Sequence, residues 1–228
     1  MTAARRNFAD KQQLADALAE AVAGNLKAGI ATRGAASLAV SGGTTPALFF
    51  RTLAQRADVQ WDKVTVTLVD ERWVDEGSDR SNAALVKANL LQGRAALAKF
   101  VPLYQGGPID AARAGAAQSA VPQPLDVAIL GMGNDGHTAS FFPGGDNLVE
   151  ALTGEGPVVT ITAPGAGEPR VTLTLKRLCA ARALYMHIEG EGKVETLRKA
   201  ETEGPIEAMP VRAILRQTQT PLTIFWCP

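Results

Sequence analysis

The sequence predicts an α/β fold, a doubly wound, mostly parallel sheet with helices on both faces, Rossmann-like in architecture. Three observations carry that expectation. Short apolar runs alternate along the chain with segments of helical periodicity, which is the pattern of repeated strand–helix–strand units. Runs such as VAIL and SLAV are apolar at successive positions, as strands buried on both faces are. Strands also end in glycine-rich or polar loops, SGGTTP, DERWV and GMGNDGHTAS, and the carboxyl edge of such a sheet is where ligands bind. No polar or Pro/Ser-rich linker divides the 228 residues, so residues 1–228 are expected to form a single domain.

Hydrophobic residues make up 46% and charged residues 20%, with 23 basic against 23 acidic side chains. This is the balance of an ordinary globular protein and gives no global field to hold nucleic acid or a membrane surface. Any anion must be recognised by a few placed cations and backbone dipoles. No stretch approaches the ~20 apolar residues of a membrane helix, and MTAARRNFADKQQLADALAEA lacks the apolar core of a secretory signal. A cytoplasmic location is therefore expected, with neither nucleic acid nor membrane as a partner. Cys179 and Cys227 are expected as separate buried thiols, and two histidines, His137 and His187, give no zinc-site spacing, so no metal is expected.

In chain order, Leu14, Leu18, Val22, Leu26 and Ile30 recur every fourth residue and predict one amphipathic helix over residues 10–32. Asn7 is its expected cap, with Asp10 near the positive end. SLAV (37–40) is a strand, and Thr45 is placed to cap a helix opened by Pro46. VTVTLV (64–69) alternates as a strand does and ends in Asp70-Glu71-Arg72-Trp73-Val74. Ser81 or Asn82 then caps a helix over ALVKANLL, followed by a strand FVPLY (100–104) and an Ala-rich helix from about 108 to 120. The central strand is Val127 to Leu130, and Pro143 and Gly144 permit only a short helix after its loop. VVTITA (158–163) is a strand, residues 164–169 turn, and residues 170–182 begin as a strand and finish as a helix. ALYMHIE (183–189) is a buried strand in which His187 is expected as a hydrogen-bonded core residue. A glycine turn leads into a helix with Lys193 in its first turn, and a helix and a strand close the chain.

The most informative loop lies within DVAILGMGNDGHTASFFPGG, residues 126–145. Gly131, Gly133 and Gly136 let the backbone turn sharply and leave amides free to face an anion, while Asp135 and His137 stand where this fold keeps its chemistry. GMGNDG formally matches the dinucleotide fingerprint, but that fingerprint needs a long helix after its third glycine, and Pro143 and Gly144 interrupt it. Ser41, Gly42, Gly43 and Thr44 precede a helix amino terminus and present hydroxyls and amides suited to a phosphate. Asp70 and Arg72 are expected at the rim of the same pocket. Lys193 opposes its helix dipole, which plain exposure or a partner anion would offset.

Together SGGTTP, VDERWV, SNAALVKANLL, GMGNDGHTASFFPG and RVTLTLKRL resemble, in order and over nearly the whole chain, the glucosamine-phosphate isomerase/6-phosphogluconolactonase family, and within it the lactonases. The resemblance implies the aminosugar-phosphate isomerase type of fold and hydrolysis of 6-phospho-D-glucono-1,5-lactone to 6-phospho-D-gluconate in the oxidative pentose phosphate pathway. It implies no cofactor, and a small sugar-phosphate lactone as the partner of a monomer or small homo-oligomer. His137 is then the general base, an imidazole of ordinary pKa ~6.5 being suited to taking a proton near neutrality. Asp135 orients or polarises it. Loop amides around residues 131–136, or Arg72, meet the oxyanion. The phosphate falls to Gly42, Gly43, Thr44, Arg72, Arg170 and Lys193, with Ser41 and Asp70 beside them and Arg72 open to either duty.

Two alternatives stand beside that reading. An aminosugar-phosphate isomerase or deaminase shares the Ser-Gly-Gly loop and Asp-Gly-His. By resemblance, the isomerase loop continues into a Glu-Pro pair whose glutamate helps the histidine move protons during ring opening. Here Phe142 precedes Pro143, and a phenyl ring neither accepts a proton nor orients an imidazole by hydrogen bonding. A non-catalytic sugar-phosphate-binding sensor is expected to carry a DNA-reading module, whereas this chain is expected to begin directly with its first helix and has zero formal net charge.

Overall fold

The computed structural model describes residues 3–228. Its strands are β1 (Ala4–Asn7), β2 (Ala36–Val40), β3 (Val64–Leu68), β4 (Asp70–Arg72), β5 (Lys99–Val101), β6 (Val127–Leu130), β7 (Val158–Ile161), β8 (Arg170–Leu173), β9 (Ala183–Glu189) and β10 (Leu222–Cys227). Its α-helices are α1 (Lys11–Arg33), α2 (Ala47–Ala54), α3 (Asn82–Asn89), α4 (Ala111–Gln118), α5 (Leu148–Thr153), α6 (Leu175–Cys179), α7 (Glu191–Glu201) and α8 (Val211–Arg216). β1, β10, β9, β6, β2, β3 and β5 stand side by side in that order, every pairing parallel. The chain runs outward from β2 through β3 to β5, then returns to set β6 on the other side of β2. That makes β2 and β6 the switch point, where the departing loops diverge and open a crevice.

The expected α/β architecture follows from what the strands bury. Every residue of β2, β3 and β6 is buried, which requires cover on both faces of the sheet. α1 supplies part of it: Leu14, Leu18, Val22 and Leu26 have no exposed surface, and the helix packs on α2, β2 and β10. Each such side chain contributes about 1.5–3 kcal/mol by burial. Cys179 and Cys227 are buried and unpaired. Among the described residues no helix is long and apolar enough to cross a membrane.

The structure corrects several local expectations. β1 was not anticipated because ARRN is exposed at every position and carries no apolar alternation; its backbone pairing with β10 alone makes it a strand. Asn7 ends that strand and does not cap α1. Asp10 does, accepting from the Gln13 N–H at 2.8 Å. Asp10→Ala is expected to lower stability by about 1 kcal/mol, read as a fall in the urea midpoint. Thr45 likewise is not a cap: α2 starts at Ala47 with Pro46 in the cap position and no side-chain cap bond. The strand expected over 100–104 stops at Val101, and α4 starts at Ala111, capped by Asp110.

The largest correction concerns β4, β7 and β8, which form a separate antiparallel sheet in the order β4-β8-β7. Residues 162–169 are too short for the crossover of a dozen or more residues that a parallel pair needs, so β7 and β8 can only turn back on each other. DERWV is thus not simply a loop after β3. Its first three residues are a strand, and their register sets Arg72 opposite Arg170.

Candidate active site

A cavity of about 250 Å³ opens at the β2/β6 switch point. Ser41, Gly42, Gly43 and Thr44 line it from the loop after β2, Asp70 and Arg72 from β4, and His137 from the loop after β6. Arg170 reaches it from β8 and Lys193 from α7. Gly131 and Gly133 line it too, whereas Gly136 and Asp135 are not part of the wall; Asp135 reaches the site through His137.

The His137 imidazole is fixed from two directions. Asp135 Oδ1 accepts from Nδ1 at 2.6 Å and from the His137 backbone N–H at 3.1 Å. Phe142 lies against the ring, with centroids 4.3 Å apart and planes tilted by 31°. The loop beneath closes through Gly133 N–H to His137 O at 2.8 Å and Thr138 Oγ1 to Gly131 O at 2.8 Å. Gly133 is required by close approach: a Cβ there would stand 2.1 Å from His137 Nδ1 and 2.5 Å from Asp135 Oδ1. With Nδ1–H given to the carboxylate, Nε2 is left as an acceptor. Burial pushes the Asp135 carboxyl up, but hydrogen bonds from His137 and the charge of its ring outweigh this and hold it below the usual carboxylate range. Ala139, also in the cavity wall, has φ 49°, the kind of backbone strain that collects at functional sites.

The cations sit in a poorly solvated frame. Arg170 is buried, its Nη1 3.7 Å from Asp70 Oδ2 and its Nη2 donating to Ala166 O at 2.6 Å. Burial lowers the pKa of its guanidinium; Asp70 opposes that shift and Arg72 adds to it. Ser140 Oγ donates to Asp70 Oδ2 at 2.6 Å and so ties the histidine loop to β4. Arg72 Nη1 donates to Asn82 Oδ1 at 2.6 Å and to Arg80 O at 2.9 Å. Among the described residues the Nε atoms of Arg72 and Arg170 are buried without a partner, and both side chains line the cavity. Lys193 is lowered by burial and raised in part by Asp135. Among the same residues no three His, Cys, Asp or Glu side chains are grouped to hold a metal ion.

Three contributors escaped the sequence reading. Glu71 is fully buried and accepts from the backbone N–H groups of Arg72, Asn82 and Ala83, each at 2.8 Å; burial raises its carboxyl against those bonds. Asn82 lines the cavity and donates to Asp70 O at 2.9 Å, and a Cβ on Gly42 would lie 1.8 Å from its Oδ1. The glycine loop thus rests directly on the side chain that holds Arg72. Both residues stood in polar runs visible in the sequence, but nothing there marked them as buried. His187 is buried and bonded to Glu189 as expected, yet it also lines the cavity. Ser41 has a structural task as well: its hydroxyl donates to Ile129 O at 3.0 Å and accepts from Gly131 N–H at 3.1 Å, joining the two loops.

Residues 9–226 match the model of the family described as glucosamine-6-phosphate isomerases/6-phosphogluconolactonase. The chain is 53% identical to a protein of Rhizobium meliloti (strain 1021) named 6-phosphogluconolactonase, over the whole of both. It is 51% identical to one of Mesorhizobium japonicum with the same name, over 97% of this chain and 94% of that one. The crystal structure of a 6-phosphogluconolactonase from Shewanella baltica OS155 superposes with a TM-score of 0.96 at 39% identity, covering 99% of this chain and 98% of that one. The chain belongs to the glucosamine-6-phosphate isomerase/6-phosphogluconolactonase family.

Proposed function

We propose that this chain hydrolyses 6-phospho-D-glucono-1,5-lactone to 6-phospho-D-gluconate, in the cytoplasm and in the oxidative pentose phosphate pathway. The observation that carries the reading is the Asp135–His137 pair, which leaves a free imidazole nitrogen in the same cavity as Arg72, Arg170 and Lys193. The names of relatives 53% and 51% identical over nearly all of the chain support it. His137 Nε2 takes a proton from water as the oxygen attacks the lactone carbonyl, a contribution of about 10²- to 10⁴-fold. Asp135 stabilises the imidazolium that results. Loop amides and Arg72 hold the oxyanion. As the tetrahedral intermediate collapses, the ring oxygen leaves and takes the proton back from His137. Arg170, Lys193 and the Gly42–Thr44 loop hold the phosphate, with the α2 amino terminus behind them.

The direct test supplies the lactone with glucose 6-phosphate dehydrogenase and follows its decay. The protein is expected to accelerate that decay, and dialysis against EDTA is expected to leave the rate unchanged, because His137 provides the base. A rate that vanished on dialysis and returned with zinc would contradict the mechanism. The isomerase alternative is disfavoured by Phe142, which occupies the face of His137 where a proton-carrying carboxylate would be needed. Glucosamine 6-phosphate is expected to yield no ammonia or fructose 6-phosphate; release at a rate comparable to lactone hydrolysis would overturn the assignment.

A further inference from the structure

The cavity contains a second imidazole that the mechanism above does not use. His187, on β9, is 4% exposed and forms part of the wall with Pro46, Phe50 and Lys193. Residues two apart on a strand share a face, so Glu189 reaches back to it: Oε1 lies 3.0 Å from His187 Nε2, and Oε2 lies 3.0 Å from Lys11 Nζ at the start of α1. The edge of the ring system packs on Phe49 of α2, with centroids 6.0 Å apart at 83°. His187 Nδ1 has no hydrogen-bond partner among the described residues. An orphaned buried nitrogen costs on the order of 1–3 kcal/mol, and its ring shares the cavity wall with the Ser41–Thr44 loop.

We propose that His187 is a specificity-determining residue for the phosphate group, donating from Nδ1 as an imidazolium whose other nitrogen is held by Glu189. The proposal rests on the reading of the cavity as a phosphate-ester site. Burial pushes the Glu189 carboxyl up, but hydrogen bonds from His187 and Lys11 outweigh this and hold it below its usual range. With Nε2 held by Glu189 Oε1 at 3.0 Å, Nδ1 is the nitrogen left for a ligand. The N–H form of Nδ1 makes a charge-assisted bond to an ionised phosphate oxygen. Its proton comes from solvent, or from the phosphate monoester itself, whose second pKa is near ~6; the O–H bond breaks, the N–H bond forms, and the charge is conserved. The charged groups around the ring are Glu189 on its own strand, Lys11 on α1 and Lys193 on α7. Cys227 of β10 lies near Glu189 and Lys11, while Phe49 of α2 and Phe225, the β10 partner of His187, bring no charge. His137, backed by Asp135, shares the cavity.

The chain has two histidines, so imidazole ¹⁵N resonances can be assigned by comparing the parent with His137→Asn. On addition of 6-phosphogluconate, and separately of inorganic phosphate, His187 Nδ1 is expected to move from the unprotonated toward the protonated signature, while gluconate leaves it in place. His187→Leu is expected to raise KM for the phosphorylated lactone about 10-fold with kcat changed less than about 2-fold, and to leave KM for glucono-1,5-lactone alone. Glu189→Gln, which keeps the volume, is expected to shift the same KM in the same direction by a smaller factor. If backbone resonances show 6-phosphogluconate binding while Nδ1 does not respond, the role of His187 is wrong and the phosphate-ester reading stands. If no resonance responds to 6-phosphogluconate, both fail. A His187→Leu variant that only melts earlier, with both KM values unchanged, also overturns the proposal.

Discussion

His137→Asn is expected to lower kcat by roughly 100-fold or more, about 2.7 kcal/mol of transition-state stabilisation, with little change in KM or in the thermal midpoint. The asparagine amide can still donate to Asp135, and Phe142 keeps an apolar neighbour, so the loop loses little support. What disappears is the basic nitrogen, since an amide cannot accept the proton of the attacking water. KM is spared because Arg170, Lys193 and the Ser41–Thr44 loop stay as they are. Asp135→Asn is expected to lower kcat as well, because an amide placed against Nδ1 favours the tautomer with its hydrogen on Nε2. The pH profile adds a check. Asp135 is held below the ordinary carboxylate range, so its support is complete above that range and fades only as the pH falls through its lowered value. A loss of kcat that sets in nearer neutrality and persists in Asp135→Asn belongs to another group. A His137→Asn enzyme that retained kcat and merely unfolded earlier would remove this residue from the chemistry.

The features of the site legible in the sequence were those whose chemistry is local. His137 and Asp135 are two residues apart on one loop, and the apolar run before them announced a buried strand end. Gly42, Gly43 and Thr44 were visible for the same reason. The α1 stripe was visible because five apolar residues spaced four apart fall on one face of a helix, with polar residues between them that a buried strand would not carry. What failed to show was whatever depended on partners distant in sequence. β1 is a strand only because β10 lies beside it. Asn7 and Thr45 have the composition of caps, but strand pairing claimed one and a proline the other. Glu71 gave no sign of its burial, because a carboxylate buried by three backbone donors, two of them eleven and twelve residues further on, cannot be told from an exposed one by its neighbours in the chain. His187 shows the same limit from the other side: its strand marked it as buried, and only the fold put its ring in the cavity wall.

Arg170→Ala is expected to weaken binding of 6-phosphogluconate, and of simple sugar 6-phosphates alike, by about 10- to 100-fold, since a hydrogen bond to a charged group contributes ~1.5–3 kcal/mol. A protein of zero formal net charge has no long-range field to compensate for a lost cation. Two effects act in the same direction. The guanidinium that lines the cavity is removed, and Asp70 is left in the wall 3.7 Å from where that group had been. Its carboxylate keeps the Ser140 hydroxyl but now faces an approaching dianion without an opposing charge. The same loss is expected to cost stability, because removing one partner of a buried pair strands the other, at up to about 3–5 kcal/mol. A drop in affinity alone would therefore be ambiguous. The double variant Arg170→Ala/Asp70→Asn resolves it: neutralising the stranded carboxylate is expected to recover most of the thermal midpoint and to relieve the repulsion, while the affinity stays below that of the parent because no cation has been restored. Arg170→Lys is expected to recover little, as an ammonium cannot present two donors in a plane from β8. If the double variant bound 6-phosphogluconate and inorganic phosphate as tightly as the parent, Arg170 would be a counter-ion for Asp70 and nothing more, and the anion would have to be held by the other groups of the wall, Lys193, Arg72, His187 and the Ser41–Thr44 loop.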